Sequence, residues 1–215
     1  TSEKDRKTVQ AILNDVRKNG DSAVKKYERK FNGRKTSQLR VSAKEIKEAR
    51  SKISQKEVTA LQTMSARLSN SSPKIQIRGS RKFVAIPSVG CYIPGGQARY
   101  PSSVVMSVIP AKIAGVKRIV IVSPPDRDGK IDPLTIVAAK KCGATEIYKI
   151  GGAQAIGALA YGTKSIPKVD KIVGPGGKFV SIAKSLVSDQ TAIDMVAGPT
   201  ELGIIADASS DPELI

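Results

Sequence analysis

Three glycine-rich turns decide the fold of this chain: GCYIPGG at Gly90–Gly96, GGAQ at Gly151–Gln154 and GPGG at Gly174–Gly177. Each turn follows a short apolar run with the composition of a buried strand, and these runs are Phe83–Val89, Glu146–Ile150 and Lys171–Val173. Loops that follow the parallel strands of an open α/β sheet meet in one crevice, where ligands bind. Glycine lets the backbone approach a ligand closely, and a helix that follows offers free N–H groups to a phosphate. The turns therefore predict a nucleotide-binding crevice.

Strand-like and helix-like segments alternate around these turns. Arg118–Ser123 (RIVIVS) is a continuous apolar run typical of a buried parallel strand. Short strands are also predicted at Ala192–Met195 and Leu202–Ala206. The predicted helices are Ser102–Gly115 with a kink or an early end at Pro110, one from Asp132-Pro133 to Gly143, Gln154–Tyr161 and Phe179–Val187. Strand–helix–strand units at these intervals predict an α/β fold with a parallel sheet.

Four amphipathic helices are predicted in the first third of the chain. Their expected bounds are Glu3–Lys18, Asp21–Phe31, Ser42 to near Arg50 and Ser54 to near Leu68. Gly20 ends the first of them, and Asp21 is expected to cap the second. The third and fourth each begin with a Ser-x-x-Glu capping box. Nothing in these four helices points to catalysis.

The positive charge of the chain is concentrated in the same region. Residues 1–82 hold 22 Lys/Arg against 8 Asp/Glu, whereas the remaining 133 residues hold 14 against 11. Such a block of cations is compatible with a basic module that binds nucleic acid or another polyanion. A solvated helical surface is the favoured interpretation, because the charges alternate with apolar residues at helical spacing and the chain has no Trp and only 3 Phe. Nucleic acid is therefore an unlikely partner.

The remaining composition excludes several kinds of site. The longest apolar runs fall short of the roughly 18 residues that a membrane span needs, and the N-terminus is polar, so we expect a cytoplasmic protein without a membrane partner. Cys91 and Cys142 are 51 positions apart, which fits buried structural thiols better than a zinc site or a disulfide framework. The chain has no histidine, hence no imidazole base and no imidazole metal ligand.

None of the glycine turns completes a known phosphate-binding motif. No G-x-G-x-x-G is followed by an acidic residue at the required distance, and neither a P-loop nor a G-x-S-x-G elbow occurs. Three side chains beside the turns remain as ligand candidates. Gln154 can donate to a ribose or a carboxamide, Tyr92 can stack on a base, and Thr200 can bind a ligand. The alternatives are a polar residue at a helix start, a core tyrosine and a turn cap.

A set of segments in the second half of the chain resembles the histidinol dehydrogenase family in order and in spacing. They are VGCYIPGG at Val89–Gly96, YPSS at Tyr100–Ser103, PAKIAG at Pro110–Gly115, GGAQAI at Gly151–Ile156, AYGT at Ala160–Thr163, PKVDKIVGPG at Pro167–Gly176, IDM at Ile193–Met195 and AGPTE at Ala197–Glu201. The basic helical region is also similar to the N-terminal region of that family. The resemblance implies Rossmann-like parallel sheets: a helical arm at 1–74, an incomplete first domain at 75–89 and 201–215, and a second domain on the nucleotide side at 90–200.

The resemblance also implies an activity and a set of site residues. The family oxidises L-histidinol to L-histidine through histidinal, uses NAD and zinc, takes part in histidine biosynthesis and forms homodimers. By position, Tyr92 and Gln154 match residues that contact NAD, and Thr200 matches a substrate-contacting serine. Gly177 replaces a common asparagine that contacts NAD, so a side-chain amide is missing there. The zinc ligands and catalytic bases of the family are expected beyond Ile215, so this chain alone is expected to be inactive.

Overall fold

The computed structural model describes residues 2–33, 38–71, 84–95, 99–195, 203–204, 206–207, 209–211 and 213. In these residues, helices and strands alternate from the middle of the chain onward. The helices are α1 (Glu3–Asn19), α2 (Asp21–Asn32), α3 (Ala43–Ser51), α4 (Gln55–Ser71), α5 (Pro101–Ile113), α6 (Pro133–Cys142), α7 (Gly152–Tyr161) and α8 (Lys178–Val187). The strands are β1 (Ser88–Tyr92), β2 (Arg118–Ser123), β3 (Glu146–Lys149), β4 (Lys171–Val173) and β5 (Ala192–Ile193).

The five strands form one parallel sheet in the order β3-β2-β1-β4-β5. The chain winds outward from β1 through β2 to β3, then crosses back and continues from β4 to β5 on the other side of β1. In this topology the direction of winding changes between β1 and β4, and such a switch point is where open α/β sheets bind ligands. The predicted α/β fold with a Rossmann-like parallel sheet is confirmed.

Alternating side chains of the strands face two separate apolar layers. Val89, Cys91 and Ile121 point into a layer built with α3, α4, α5 and α6. Tyr92 and Val122 point into the other layer, which contains α1, α2, α7 and α8. The four N-terminal helices thus divide between both faces of the sheet. The division of the chain into a helical arm and two Rossmann-like domains stays a prediction.

Helix α1 crosses α7 at very short range. A Cβ on Gly157 of α7 would lie 3.1 Å from Leu13 Cδ2 and 3.3 Å from the Cβ of Val16. These two residues belong to the buried stripe of α1, together with Val9 and Ile12. Because Gly157 has no side chain, the side chains of Leu13 and Val16 pack directly against the backbone of α7. This contact anchors the N-terminal helix to the middle of the sheet.

Residues 39–41 extend the sheet beyond β3. Arg40 forms an antiparallel bridge with Tyr148, the amide of Val41 donates to the carbonyl of Ile147 (2.9 Å) and the amide of Lys149 donates to the carbonyl of Leu39 (2.7 Å). These bonds satisfy backbone groups that an edge strand would leave open to pairing with another chain. Residues 39–41 therefore cover one edge of the sheet.

Several helix boundaries agree with the predicted signals, and one cap differs. Ser42 and Glu45 form a complete capping box at α3, and Asp132 caps α6 through the amide of Thr135. Asp21 is not the cap of α2 but its first residue, because Gly20 both ends α1 and occupies the N-cap. The carboxylate of Asp21 instead accepts a 2.6 Å hydrogen bond from the hydroxyl of Ser165.

Three other predicted boundaries need correction. Strand β1 begins at Ser88 and continues to Tyr92, whereas the predicted strand was Phe83–Val89; Phe83 lies outside the described residues. Helix α5 runs through Pro110, which lies near its last turn, and ends at Ile113. The predicted strand Leu202–Ala206 is not found: residues 203, 204 and 206 have no strand pairing, Ile204 is 52% exposed, and 202 and 205 are among the residues not described.

Candidate functional site

The turn after β4 lies directly against the end of β1. Gly174 has a φ of +108°, and a Cβ at this position would overlap the carbonyl oxygen of Tyr92. The amide of Gly174 donates to Asp194 Oδ2 (2.8 Å), and its carbonyl accepts from Lys184 Nζ (3.1 Å). Only glycine tolerates both this φ and this approach. Its conformation fixes the two strand ends at the switch point against each other.

Lys184, which is buried, forms an ion pair beneath this turn with Asp194, whose side chain is partly exposed. Burial alone would raise the pKa of the Asp194 carboxyl, but the hydrogen bond from Lys184 and the amides of Met195 and Gly174 outweigh it and hold the pKa below its ordinary value. The pair joins α8 to the end of β5. We therefore assign it a structural part in shaping the switch point.

The second glycine turn forms the N-terminus of α7. A Cβ on Gly151 would lie 2.6 Å from the Cβ of Pro124, which follows β2, so the backbone of this turn is pressed against the neighbouring loop. Gly152 has a φ of +62°, and its amide donates to the hydroxyl of Tyr92 (3.1 Å). Tyr92 and the start of α7 are thereby brought together, as the crevice prediction requires.

A buried carboxyl group occupies the same helix start. Glu28 of α2 is fully buried, and its Oε1 accepts hydrogen bonds from the amide of Gly151 and from Nε2 of Gln154, each at 2.9 Å. Gln154 is 2% exposed, and its own Oε1 is buried without a hydrogen-bond partner. Nε2 uses one of its two hydrogens on Glu28, so donation by Gln154 to a ligand stays a prediction. The Oε1 atom is an acceptor that has no donor among the described residues.

Gln154 lines a cavity of ≈ 320 Å³. The cavity is bounded by the glycine turn at the start of α7, by Pro124, by Ile12 of α1 and by two half-exposed phenylalanines, Phe31 of α2 and Phe179 of α8. Two aromatic rings beside a buried hydrogen-bonding group are the usual elements of a small-molecule site, and the volume is at the lower end of the roughly 300–1,000 Å³ of such sites. We take this cavity as the candidate functional site.

A larger cavity of ≈ 800 Å³ lies between α5 and β4. It includes the turn Gly174–Gly176 and the Lys184–Asp194 pair, and its rim carries the exposed side chains of Met106 and Met195. Its lining contains no aromatic ring and, within the described residues, no buried polar side-chain atom that lacks a hydrogen-bond partner. The turn Gly174–Gly176 therefore faces a different cavity from that of Gln154.

The other predicted site residues have different positions. Tyr92 lies in β1 instead of a turn and is only 5% exposed, so its ring is part of the core layer and is not free to stack on a base. Burial raises the pKa of its hydroxyl, and the nearby charge of Glu28 adds to that rise although the bond from Gly152 opposes it. Gly177 is the N-cap of α8, where a Cβ would meet nothing within 4 Å. Thr200 lies outside the described residues.

Within the described part of the chain, both cysteines are buried and possible metal ligands do not cluster. Cys91 and Cys142 are buried free thiols, as predicted. Burial raises the pKa of Cys91 to about 12. No group of three or more His, Cys, Asp or Glu in the described ranges is placed to hold a metal ion. No helix there is both long and apolar enough to cross a membrane.

Comparison with known proteins identifies the family. The family model described as histidinol dehydrogenase matches residues 1–215. The chain belongs to the histidinol dehydrogenase family. Among curated members, it is 45% identical to the histidinol dehydrogenase of Bacillus licheniformis and 44% identical to that of Methanocaldococcus jannaschii, and the alignments cover 98% and 97% of this chain. The crystal structure of histidinol dehydrogenase from Elizabethkingia anophelis superimposes with a TM-score of 0.90 at 35% identity over 100% of the chain.

The chain spans about half the length of these histidinol dehydrogenases: 52% of the Bacillus protein, 51% of the Methanocaldococcus protein and 52% of the Elizabethkingia structure. Glu28 is a residue of this site that sequence patterns did not single out, although one signal was present. Glu28 follows Val24 and Tyr27 at helical spacing, so it falls on the apolar stripe of α2. An acidic residue on such a stripe requires a partner inside the protein.

Proposed function

We propose that this chain forms the dinucleotide-binding part of a histidinol dehydrogenase, which oxidises L-histidinol to L-histidine through histidinal during histidine biosynthesis. Membership in the family supports the activity, and the switch point between β1 and β4 supports a nucleotide ligand. One observation carries the location of the site: the buried, unpartnered Oε1 of Gln154 beside the cavity at the start of α7. A buried acceptor without a donor is costly, so a ligand that donates to it relieves that cost.

The residues at this cavity fit part of an NAD molecule. Gln154 offers the acceptor, Phe31 and Phe179 offer apolar ring surfaces, and the glycine turn Gly151–Gly152 brings the backbone close without side chains. When bound, NAD accepts a hydride from the substrate alcohol. The side chains of this chain bind and orient the dinucleotide and shield it from water. The hydroxyl of Tyr92 also accepts a hydrogen bond from the amide of Gly152 and thereby holds the turn in place.

Zinc has no corresponding place among the described residues, since they contain no cluster of potential ligands. The chain also has no histidine to act as a base. We accordingly propose that this chain alone does not oxidise histidinol. The test is a dehydrogenase assay of the purified chain with L-histidinol, Zn²⁺ and NAD, followed at the absorbance of NADH. Production of NADH above the rate without protein would refute this part of the proposal.

Binding is the decisive experiment for the nucleotide site. The chain has no Trp, so the fluorescence of NADH can be followed without interference from indole. We expect saturable binding that becomes weaker in the Gln154→Met variant, which removes the acceptor at similar volume. The control is Met106→Gln, at the rim of the larger cavity. Weaker binding in Met106→Gln and unchanged binding in Gln154→Met would move the site to the larger cavity and overturn the assignment.

Two further features of the family stay proposals for this chain. Thr200 is proposed to contact the substrate, and Gly177 to lie beside NAD, by their positions in the family motifs. We also propose a homodimer, which sedimentation analysis of the chain tests directly. The basic polyanion-binding module remains the alternative, and it requires binding that weakens steeply with salt.

A further inference from the structure

Glu28 connects the N-terminal helices to the proposed nucleotide site. It comes from α2, yet it reaches two donors that lie more than 120 positions later in the chain. Its Oε1 accepts from the amide of Gly151 and from Nε2 of Gln154 at the same distance, 2.9 Å. The negative charge of Glu28 also contributes to the raised pKa of the Tyr92 hydroxyl.

We propose that Glu28 is a positioning residue that fixes the orientation of the Gln154 amide, so that Oε1 is the group without a partner and favours a hydrogen-bond donor of the ligand. The inference rests on the proposed function, because it concerns the same cavity. The group of NAD that meets Oε1 of Gln154 must carry an N–H or O–H: the amino group of the adenine, the carboxamide of the nicotinamide or a hydroxyl of a ribose. An ionised phosphate oxygen carries no proton and cannot supply this donor to Oε1.

The orientation of the Gln154 amide follows from the acceptor that it meets. A glutamine amide has one oxygen that only accepts and one nitrogen that only donates, and a rotation by 180° exchanges them. Rotation here would place Oε1 of Gln154 against Oε1 of Glu28, two acceptors without a proton between them. Because Glu28 Oε1 is also held by the amide of Gly151, it is not free to move away. Gln154 Nε2 therefore stays on Glu28, and Oε1 remains for the ligand.

The same carboxyl group changes what the start of α7 can bind. Free amides and the helix dipole normally make such a helix start attractive to phosphate. At α7 the amide of Gly151 donates to Glu28, and the amide of Gly152 donates to the hydroxyl of Tyr92. The carboxylate of Glu28 is thus already an anion bound at this helix start. The amides of Gly151 and Gly152 are therefore not free to bind a phosphate in this structure.

A double-mutant cycle tests whether Glu28 acts through Gln154. The four proteins are the unmodified chain, Glu28→Gln, Gln154→Met and the double variant, and the measurement is the Kd for NADH. With a neutral amide at position 28, Gln154 is no longer held in one orientation, so we expect Kd to rise about 3- to 10-fold, the equivalent of one hydrogen bond. Gln154→Met should give a similar rise, and the double variant should bind no more than 2-fold more weakly than Gln154→Met.

If the increase in Kd of the double variant equals the product of the increases in the two single variants, the positioning role is refuted. A purely structural effect of Glu28 on Kd would persist when Gln154 is absent. If the Glu28→Gln variant does not fold, Glu28→Asp supplies the same cycle, since it keeps the charge and withdraws the acceptor by one methylene. The matched control is Glu45→Gln on α3, which removes the partner of Lys149 in the opposite layer (2.7 Å). It should lower stability and leave Kd unchanged.

Dinucleotide analogues identify the donor. One analogue replaces the adenine amino group by oxygen, one replaces the carboxamide by an acetyl group, and others lack single ribose hydroxyls. One of them should bind more weakly than NAD to the unmodified chain, with no such difference in Gln154→Met. If none loses affinity, the selection of a donor is wrong. Absence of any NADH binding to the unmodified chain would instead overturn the proposed function itself.

Discussion

Replacing Gly174 by alanine is the sharpest test of how the switch point is built. The φ of +108° is strained for any residue with a side chain, and the new Cβ would overlap the carbonyl oxygen of Tyr92. Tyr92 cannot move aside easily, because β1 is bonded to β2 on one side and to β4 on the other. The strained φ costs about 1–3 kcal/mol, and the overlap adds about 1–3 kcal/mol.

We therefore expect Gly174→Ala to lower the free energy of unfolding by about 3 kcal/mol or more. At roughly 2–4 °C per kcal/mol for a chain of this size, Tm should fall by about 6–12 °C. Circular dichroism at 222 nm, during urea and thermal unfolding, measures both. The control is Gly177→Asn in the same turn, where φ is −67° and a Cβ meets nothing within 4 Å. A Tm of Gly174→Ala equal to that of the unmodified chain would show that the turn is not constrained as described.

The remaining predictions concern binding, thiol reactivity and an ion pair. Gly177→Asn should lower Kd for NAD about fivefold by adding one side-chain hydrogen bond, and calorimetry that finds no change contradicts the proposed place of this residue. Burial raises the pKa of Cys91 from 9.0 to about 12, so this thiol should not react with a disulfide reagent at pH 8 until urea unfolds the chain. The stability that the neutral thiol contributes is fully present below pH 9 and is lost as the pH rises toward 12. Asp194→Asn should cost about 2–3 kcal/mol in urea unfolding because it leaves Lys184 buried without its carboxylate, whereas Lys7→Gln in an exposed pair should have no measurable effect. The lowered pKa of Asp194 adds stability above its ordinary range near pH 4, and this stability is lost as pH falls below that range.

Local signals in the sequence predict most of the elements of this fold. Asp132 and Gly143 enclose α6 as predicted, and the Ser-x-x-Glu pattern at Ser42 gives the start of α3. These predictions are correct because the conformation of a helix cap or of a left-handed glycine is determined by residues that are adjacent in the chain. The continuous apolar run Arg118–Ser123 is likewise β2 without any change of bounds.

Gly90 shows where local signals fail. It was interpreted as the start of a turn, yet it lies inside β1, and a Cβ there would come within 2.8 Å of Leu159 Cδ1. The glycine is required by packing against α7, a contact between residues 69 positions apart that no local pattern contains. The predicted turn was displaced for this reason, and Tyr92 was assigned to a turn when it belongs to the core.

Local sequence signals likewise predict one part of the candidate site and not another. Gln154 was found from its place after a double glycine at a helix start, and the structure confirms that place. The sequence does not predict the hydrogen bond of its Nε2, because the acceptor is Glu28, which the fold brings from α2. Contact of Tyr92, Gln154 and Gly177 with NAD stays a prediction that the binding experiments address.

The close crossing of α1 and α7 has a consequence for synthesis in the cell. The apolar stripe of α1 is translated well before its partner, since Gly157 follows Leu13 by more than 140 residues. At about 5–20 residues per second, roughly 7–30 s pass before the surface of α7 that covers the stripe exists. Over that interval the apolar side chains of α1 lack the contact with Gly157 that buries them in the folded chain, and transiently exposed apolar surface of this kind promotes aggregation.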